Sequence, residues 1–271
     1  LANSVIIFDE AQMLPLPHLR PCVAAMASLA EQFHSTVVLC TATQPSLGDL
    51  LRTYAPDCPV TELCPQTAAL YDRFRRVTFR QAGTLTDEAL AEQLSEQRQV
   101  LCIVNSRKAA QSIYALLPPE GSYHLSTLMI PAQRLTLLGE IRERLKQGKP
   151  CRVVSTSLIE AGVDVDFPVA YREQCGLDSL LQTAGRCNRE GRNEPADSLV
   201  YRFRLDGQAA PQMLAQNISA MNYAARRHAD LSSPEAIKAY FNELFNLRSP
   251  DLLDKKHILS MIENGVSGCI L

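Results

Sequence analysis

The chain has 271 residues, 46% hydrophobic and 21% charged, with a formal net charge of −2. That is globular composition with length for one large or two modest domains, and without a global basic excess any nucleic-acid contact must be local. Nine cysteines stand without CxxC or Cys/His spacing, which excludes a disulfide framework and a zinc site and fits reduced thiols in the cytoplasm; no apolar run approaches the roughly 18 residues of a membrane helix, and no signal peptide is visible.

The chain begins at Leu1 close to a strand-like run, as a piece of a longer protein would. Val5-Ile6-Ile7-Phe8 is a continuous apolar run and is expected to be a central parallel strand buried on both faces. Asp9-Glu10-Ala11-Gln12 follows at its carboxyl end, where ligands bind in open α/β sheets. An Asp there can hold Mg²⁺, and the next Glu can orient or deprotonate water. A bare Asp-Glu pair alone is weak. A helix is expected over 21–34, then a second buried strand, Val37-Val38-Leu39, ending in Thr41-Ala42-Thr43. That triplet alone is ordinary turn chemistry. A short helix over 47–54, a proline-bearing irregular stretch over 54–65 and a charged strand over 74–79 follow. Gly83 to Thr86 is the expected domain boundary.

A second α/β series starts at Asp87. Strands are expected at Val100–Val104, Tyr123–Leu125, Arg152–Val154 and Val169–Arg172, with alternation over Val163–Phe167 and a last strand over Leu199–Phe203. Helices are expected over 88–97, over 107–117 with a cap near Ser106, and from Pro131 to Gln147. From about Ala209 the pattern is helical: 211–230, 234–245 and 252–263. Buried strands repeatedly end in small polar residues, at Asp9, Thr41, Asn105, Ser126 and Ser155. One such ending is noise. Five in a βαβ series line sheet edges with the donors that grip phosphates.

The most telling stretch is Gln182-Thr183-Ala184-Gly185-Arg186-Cys187-Asn188-Arg189-Glu190-Gly191-Arg192. Read as one helix stopped at Gly191, it puts Gln182, Arg186 and Arg189 on one face. Gly185 inside it would cost about 1 kcal/mol against Ala, which makes sense if a backbone or ligand must come close. Two guanidiniums aligned with an amide suit a polyanion such as a nucleotide γ-phosphate. An isolated RxxR is more often a solvated helix face; the company it keeps here is what overturns that reading.

Taken in order, Asp9-Glu10-Ala11-Gln12, Thr41-Ala42-Thr43, Val104-Asn105-Ser106, Ser155-Thr156-Ser157 with Gly162-Val163-Asp164, and 182–192 resemble helicase motifs II to VI of superfamily 2. The wording of Phe8–Leu14, His124–Thr127, Leu158–Asp166 and Ala184–Arg189 is similar to the CRISPR-associated helicase–nuclease of type I systems, over about residues 1–205. The resemblance implies an α/β fold of RecA-like lobes with ATP in the cleft: the later part of a first lobe over 1–83, a complete second lobe over 84–208, and a helical extension over 209–271. It implies that Asp9 holds Mg²⁺ with Glu10 acting on the attacking water. Gln12, Thr41 and Thr43 would relay nucleotide state. Gly162 and Asp164 would touch the nucleotide, Gln182 would contact the phosphates or the cleft, and Arg186 and Arg189 would be arginine fingers. Asn105, Ser126, Thr127 and Thr156 would line a DNA track. The implied partners are single-stranded DNA and the RNA-guided CRISPR surveillance complex.

The chain departs from that pattern in three ways. It contains no G-x-x-x-x-G-K-[ST], so the phosphate-cradling loop is expected upstream. It contains no adjacent His-Asp for the nuclease domain, and Gln12 stands where His is commoner. Besides an ATP-dependent DNA helicase, a non-catalytic nucleic-acid-binding or docking module and a superfamily 2 RNA helicase remain open.

Overall fold

The computed structural model describes residues 1–41, 47–64, 66–160, 162–247 and 250–265. Thr43 and Ala161 lie outside the described residues. The strands are β1 (Val5–Phe8), β2 (Thr36–Leu39), β3 (Thr78–Leu85), β4 (Gln99–Ile103), β5 (Ser122–Leu125), β6 (Cys151–Ser155), β7 (Val169–Glu173) and β8 (Leu199–Leu205). The α-helices are α1 (Leu19–Glu31), α2 (Gly48–Tyr54), α3 (Thr67–Arg73), α4 (Asp87–Glu96), α5 (Arg107–Leu116), α6 (Pro131–Lys146), α7 (Leu177–Ala184), α8 (Ala215–Arg227), α9 (Pro234–Asn246) and α10 (Ile258–Glu263). Among the described residues no helix is long and apolar enough to cross a membrane.

The chain divides into two compact units. The first holds Leu1–Leu70, Tyr223–His228 and Ser233–Leu271, and the second Tyr71–Asn222 with Ala229–Ser232.

In the first unit β1 and β2 form a parallel pair, with Val5 opposite Thr36 and Phe8 opposite Leu39. Leu19 and Val23 of α1 pack with Leu47, Leu50 and Leu51 of the α2 segment, and with Phe245 and Leu253 from the C-terminal helices. The helical tail is therefore largely part of this unit's core rather than an extension of its own. Its start is well specified, because the Ser233 hydroxyl accepts from the Ala236 N–H at 3.2 Å and Pro234 opens α9. The expected two-sided burial of β1 is not seen: Val5 is 67% and Ile7 64% exposed. An apolar run needs a layer on each face to be buried twice, and this two-stranded pair covers the run on one side only.

The second unit is built on one six-stranded, all-parallel sheet in the order β3-β8-β7-β4-β6-β5. β4, the densest apolar run, lies inside the sheet and is buried from Val100 to Ile103. Leu90 and Leu94 of α4, Ala110 and Ile113 of α5, and Phe203 and Leu205 of β8 share its core. α4 and α5 start on hydroxyl caps: Thr86 accepts from the Ala89 N–H at 3.2 Å and Ser106 from the Ala109 N–H at 3.1 Å. β3 differs from expectation. The strand is at Thr78–Leu85 rather than 74–79, pairs with β8, and runs through the expected boundary at Gly83 to Thr86. Gly83 there has φ +81 and marks a register shift within the strand rather than its end. α3 was not anticipated from the sequence.

Candidate functional site

In the first unit the acidic pair leaves β1 through a strained turn. Glu10 has φ 53 and ψ 45, left-handed backbone that a residue with a Cβ adopts at a cost of about 1–2 kcal/mol. Its N–H donates to Asp9 Oδ1 at 2.9 Å. A short 3-10 turn, Ala11–Met13, is tied to the end of β2 by the Ala11 N–H donating to the Cys40 carbonyl at 3.1 Å. That brings Gln12 between the two strand ends. Its amide nitrogen donates to Glu10 Oε2, and its amide oxygen accepts from the Thr41 hydroxyl. Asp9 and Glu10 are exposed and offer the hard oxygens that suit Mg²⁺. Among the described residues no group of three or more His, Cys, Asp or Glu side chains could hold a metal alone. Two carboxylates side by side supply part of a hard cation's oxygen shell.

In the second unit the expected 182–192 helix does not form. α7 ends at Ala184, with Gly185 at its C-cap. Gly185 is exposed, and a Cβ there would meet carbonyls of its own helix at 3.4 and 3.6 Å, so among the described residues no other segment of the chain crowds it. Gln182 stays on the last turn of α7. Arg186 and Arg189 leave the helix, and the three do not share a helical face. The chain instead doubles back against Phe167: the Phe167 N–H donates to the Arg186 carbonyl at 2.9 Å, and the Asn188 N–H to the Phe167 carbonyl at 2.9 Å.

This pairing straps the 162–167 segment to the arginines. Val163, Val165 and Phe167 are buried, with Asp164 exposed and Asp166 partly exposed between them. Gly162 has φ +69, which favours glycine. Asp164 Oδ1 lies 3.0 Å from Arg189 Nε. Asp166 Oδ1 accepts the Arg189 N–H at 2.7 Å, and its Oδ2 the Glu190 N–H at 3.4 Å. Arg186 Nη2 donates to the Glu160 carbonyl at 2.8 Å. Arg189 is exposed and Arg186 partly buried.

The remaining expected contacts lie at the strand ends of the same sheet. Asn105 follows β4, and its side chain is engaged within the protein: Nδ2 donates to the Gln174 carbonyl at 2.8 Å and Oδ1 accepts from Arg172 Nη1 at 2.8 Å. Ser126 is buried and Thr127 exposed after β5. Thr156 follows β6 with its hydroxyl buried and without a hydrogen-bond partner among the described residues.

Sequence reasoning missed two features. Asn188 is 1% exposed at φ 48. Its Nδ2 donates to the Arg76 carbonyl at 2.8 Å and the Asn193 carbonyl at 2.7 Å, and its Oδ1 accepts the Asn193 N–H at 3.0 Å. The second is a buried ionic cluster. Arg172 Nε lies 2.9 Å from Glu160 Oε1, and Glu173 Oε2 accepts the Asn105 N–H at 2.7 Å. Burial pushes the Glu160 and Glu173 carboxyls above the usual carboxylate range, and Arg172 opposes the shift in both. The visible signal was Arg172-Glu173 closing an otherwise apolar strand.

Residues 96–192 match the family described as CRISPR-associated nuclease/helicase Cas3, C-terminal. The CRISPR-associated nuclease/helicase Cas3 of Methanothermobacter thermautotrophicus is 30% identical over 116 residues, 42% of this chain and 13% of that protein. Over residues 96–192 the chain is similar to Cas3 proteins. By fold, T. fusca Cas3 with ADP superposes with TM-score 0.66 at 16% identity, over 97% of this chain and 38% of that one. A component of a CRISPR RNA-guided surveillance complex, pre-nicking, superposes with TM-score 0.58 at 18% identity, over 95% and 39%. The six-stranded parallel sheet flanked by helices has a RecA-like fold. The chain spans well under half the length of these relatives.

Proposed function

We propose that the Cas3-like chain carries the part of an ATP-driven DNA motor that runs from the acidic box to the arginine fingers. In this reading Asp9 holds Mg²⁺–ATP and Glu10, whose Oε1 is not used by Gln12, orients or deprotonates the attacking water. Bound Mg²⁺ would neutralise phosphate-oxygen charge. The amide of Gln12 transmits the state of Glu10 to Thr41, as its two hydrogen bonds allow. Gly162 and Asp164 contact the nucleotide, Gln182 the phosphates, and Arg186 and Arg189 the charge that develops on the transferring phosphoryl group. Ser126, Thr127 and Thr156, with Asn105 as a brace, follow the backbone of single-stranded DNA, and the parent protein acts with an RNA-guided CRISPR surveillance complex in the cytoplasm.

The observation that carries this reading is the strap between 162–167 and 186–190. It holds the Arg189 guanidinium against Asp164 and the Arg186 backbone against Phe167, positioning chemistry that a merely solvated basic face does not need. The relatives named above, one with ADP and one in an RNA-guided complex, support the choice of nucleotide and partner. The test is ATP turnover by the full-length protein with single-stranded DNA, duplex DNA and RNA. Stimulation by single-stranded DNA is expected. Equal stimulation by RNA would favour an RNA helicase, and DNA binding without turnover a docking module.

A further inference from the structure

We propose that the buried Glu160–Arg172 ion pair is a positioning device for Arg186. The inference rests on the reading of Arg186 as a finger given above. Arg172 is 2% and Glu160 5% exposed, and their charged atoms are 2.9 Å apart. Nη1 of the same guanidinium donates to Asn105 Oδ1 at 2.8 Å and to the Glu173 carbonyl at 3.1 Å. One planar guanidinium thus ties together the ends of β4 and β7 and the turn that follows β6, a geometry that lysine cannot reproduce. Glu160 is the C-cap of that turn, Ser157–Ile159. Its side chain is clamped by Arg172 while its main-chain carbonyl accepts Arg186 Nη2 at 2.8 Å. Fixing the side chain fixes the carbonyl, and the carbonyl orients the guanidinium. Arg186 is only partly buried, and a long side chain held at this carbonyl loses rotamer freedom there.

An ion pair at this depth is a poor way to add stability, because desolvating both charges offsets their attraction. Its use here is geometric. The two residues touch no nucleotide in this scheme and act only through Arg186, so their loss should lower the transition-state affinity and spare the ground state.

The experiment uses the full-length protein with Glu160→Gln, Arg172→Lys, and the double variant Glu160→Met with Arg172→Leu, which leaves no buried charge unpaired if a single variant folds poorly. Glu160→Gln should lower kcat about tenfold and leave KM for ATP within about twofold. Affinity for ADP with aluminium fluoride, a mimic of the transferring phosphoryl group, should fall by a similar factor while affinity for ADP alone holds. On an Arg186→Lys background the same change should cost less than about twofold, because the path it acts through is already lost. A tenfold loss on both backgrounds, equal losses for ADP and its aluminium fluoride complex, or normal turnover in the double variant would overturn the proposal. Normal turnover in Arg186→Ala would instead remove the finger assignment itself, which separates the two failures.

Discussion

Replacing Asn188 by Ala tests whether the fold of the arginine loop has been understood. The side chain is 1% exposed and makes three hydrogen bonds, to the Arg76 carbonyl and to both the carbonyl and N–H of Asn193. At about 1 kcal/mol net each, their loss is worth about 3 kcal/mol. The backbone is left-handed at φ 48, where Asn is tolerated and Ala adds about 1 kcal/mol. The expected cost is about 4 kcal/mol in the second unit. Asn188→Gly separates the two contributions, because glycine accepts this backbone and should recover about 1 kcal/mol of the loss. Urea unfolding followed by hydrogen exchange in β7 and β8 reports this unit without interference from the first. A cost below about 1 kcal/mol for Ala, or a larger cost for Gly than for Ala, would refute the account.

Three further outcomes follow from the same geometry. In the full-length protein Arg186→Ala or Arg189→Ala should lower ATP turnover about 10³-fold with ATP binding less affected, checked by steady-state kinetics beside equilibrium nucleotide binding. The 271-residue chain alone, which contains no phosphate-cradling G-x-x-x-x-G-K-[ST], should hydrolyse ATP negligibly even with DNA, as a phosphate-release assay would register. Cys151, Cys175 and Cys187 are buried, and burial pushes their thiols from an ordinary 9.0 up to about 12. The folded state prefers the protonated thiol, so this contribution to stability is intact below about 9 and is lost as pH rises towards about 12. Alkylation followed by mass spectrometry should accordingly label exposed Cys40 and Cys64 at neutral pH, and these three thiols, with buried Cys102, only after unfolding or at high pH.

Local pattern served where a residue's neighbours in sequence decide its state. The cap at Ser106, the strand ends at Asn105 and Ser126, and the alternation over 163–167 were legible in this way. It failed where the deciding partner is distant. The apolar run Val5–Phe8 announces what it would bury, but not whether a layer covers each face. Thr78–Leu85 is a strand because β8 lies beside it, and its own charged, glycine-bearing sequence says little. The roles of Arg172 and Glu160 depend on β4, β6 and β7 being neighbours in the sheet, which no short window contains.

The 182–192 stretch shows how such an error arises and why it matters for function. Helical periodicity placed Gln182, Arg186 and Arg189 together, and the same letters also contained the objection. Gly185, Asn188 and Gly191 are three residues of left-handed or helix-ending preference within seven positions, too many for a continuous helix. Asn188 and Gly191 do take positive φ, at 48 and 65. A helix would have fixed the arginines by its own backbone and left them indifferent to the rest of the sheet. A loop strapped to Phe167, Asp164, Asp166 and the Glu160 carbonyl makes their placement depend on the neighbouring motif. A substitution at Glu160, Asp164 or Asp166 should therefore change where the guanidiniums sit, and the two motifs should behave as one energetic unit: double-mutant cycles in ATP turnover between Asp164 and Arg189, whose side chains meet at 3.0 Å, should be non-additive, whereas two independent faces would simply add.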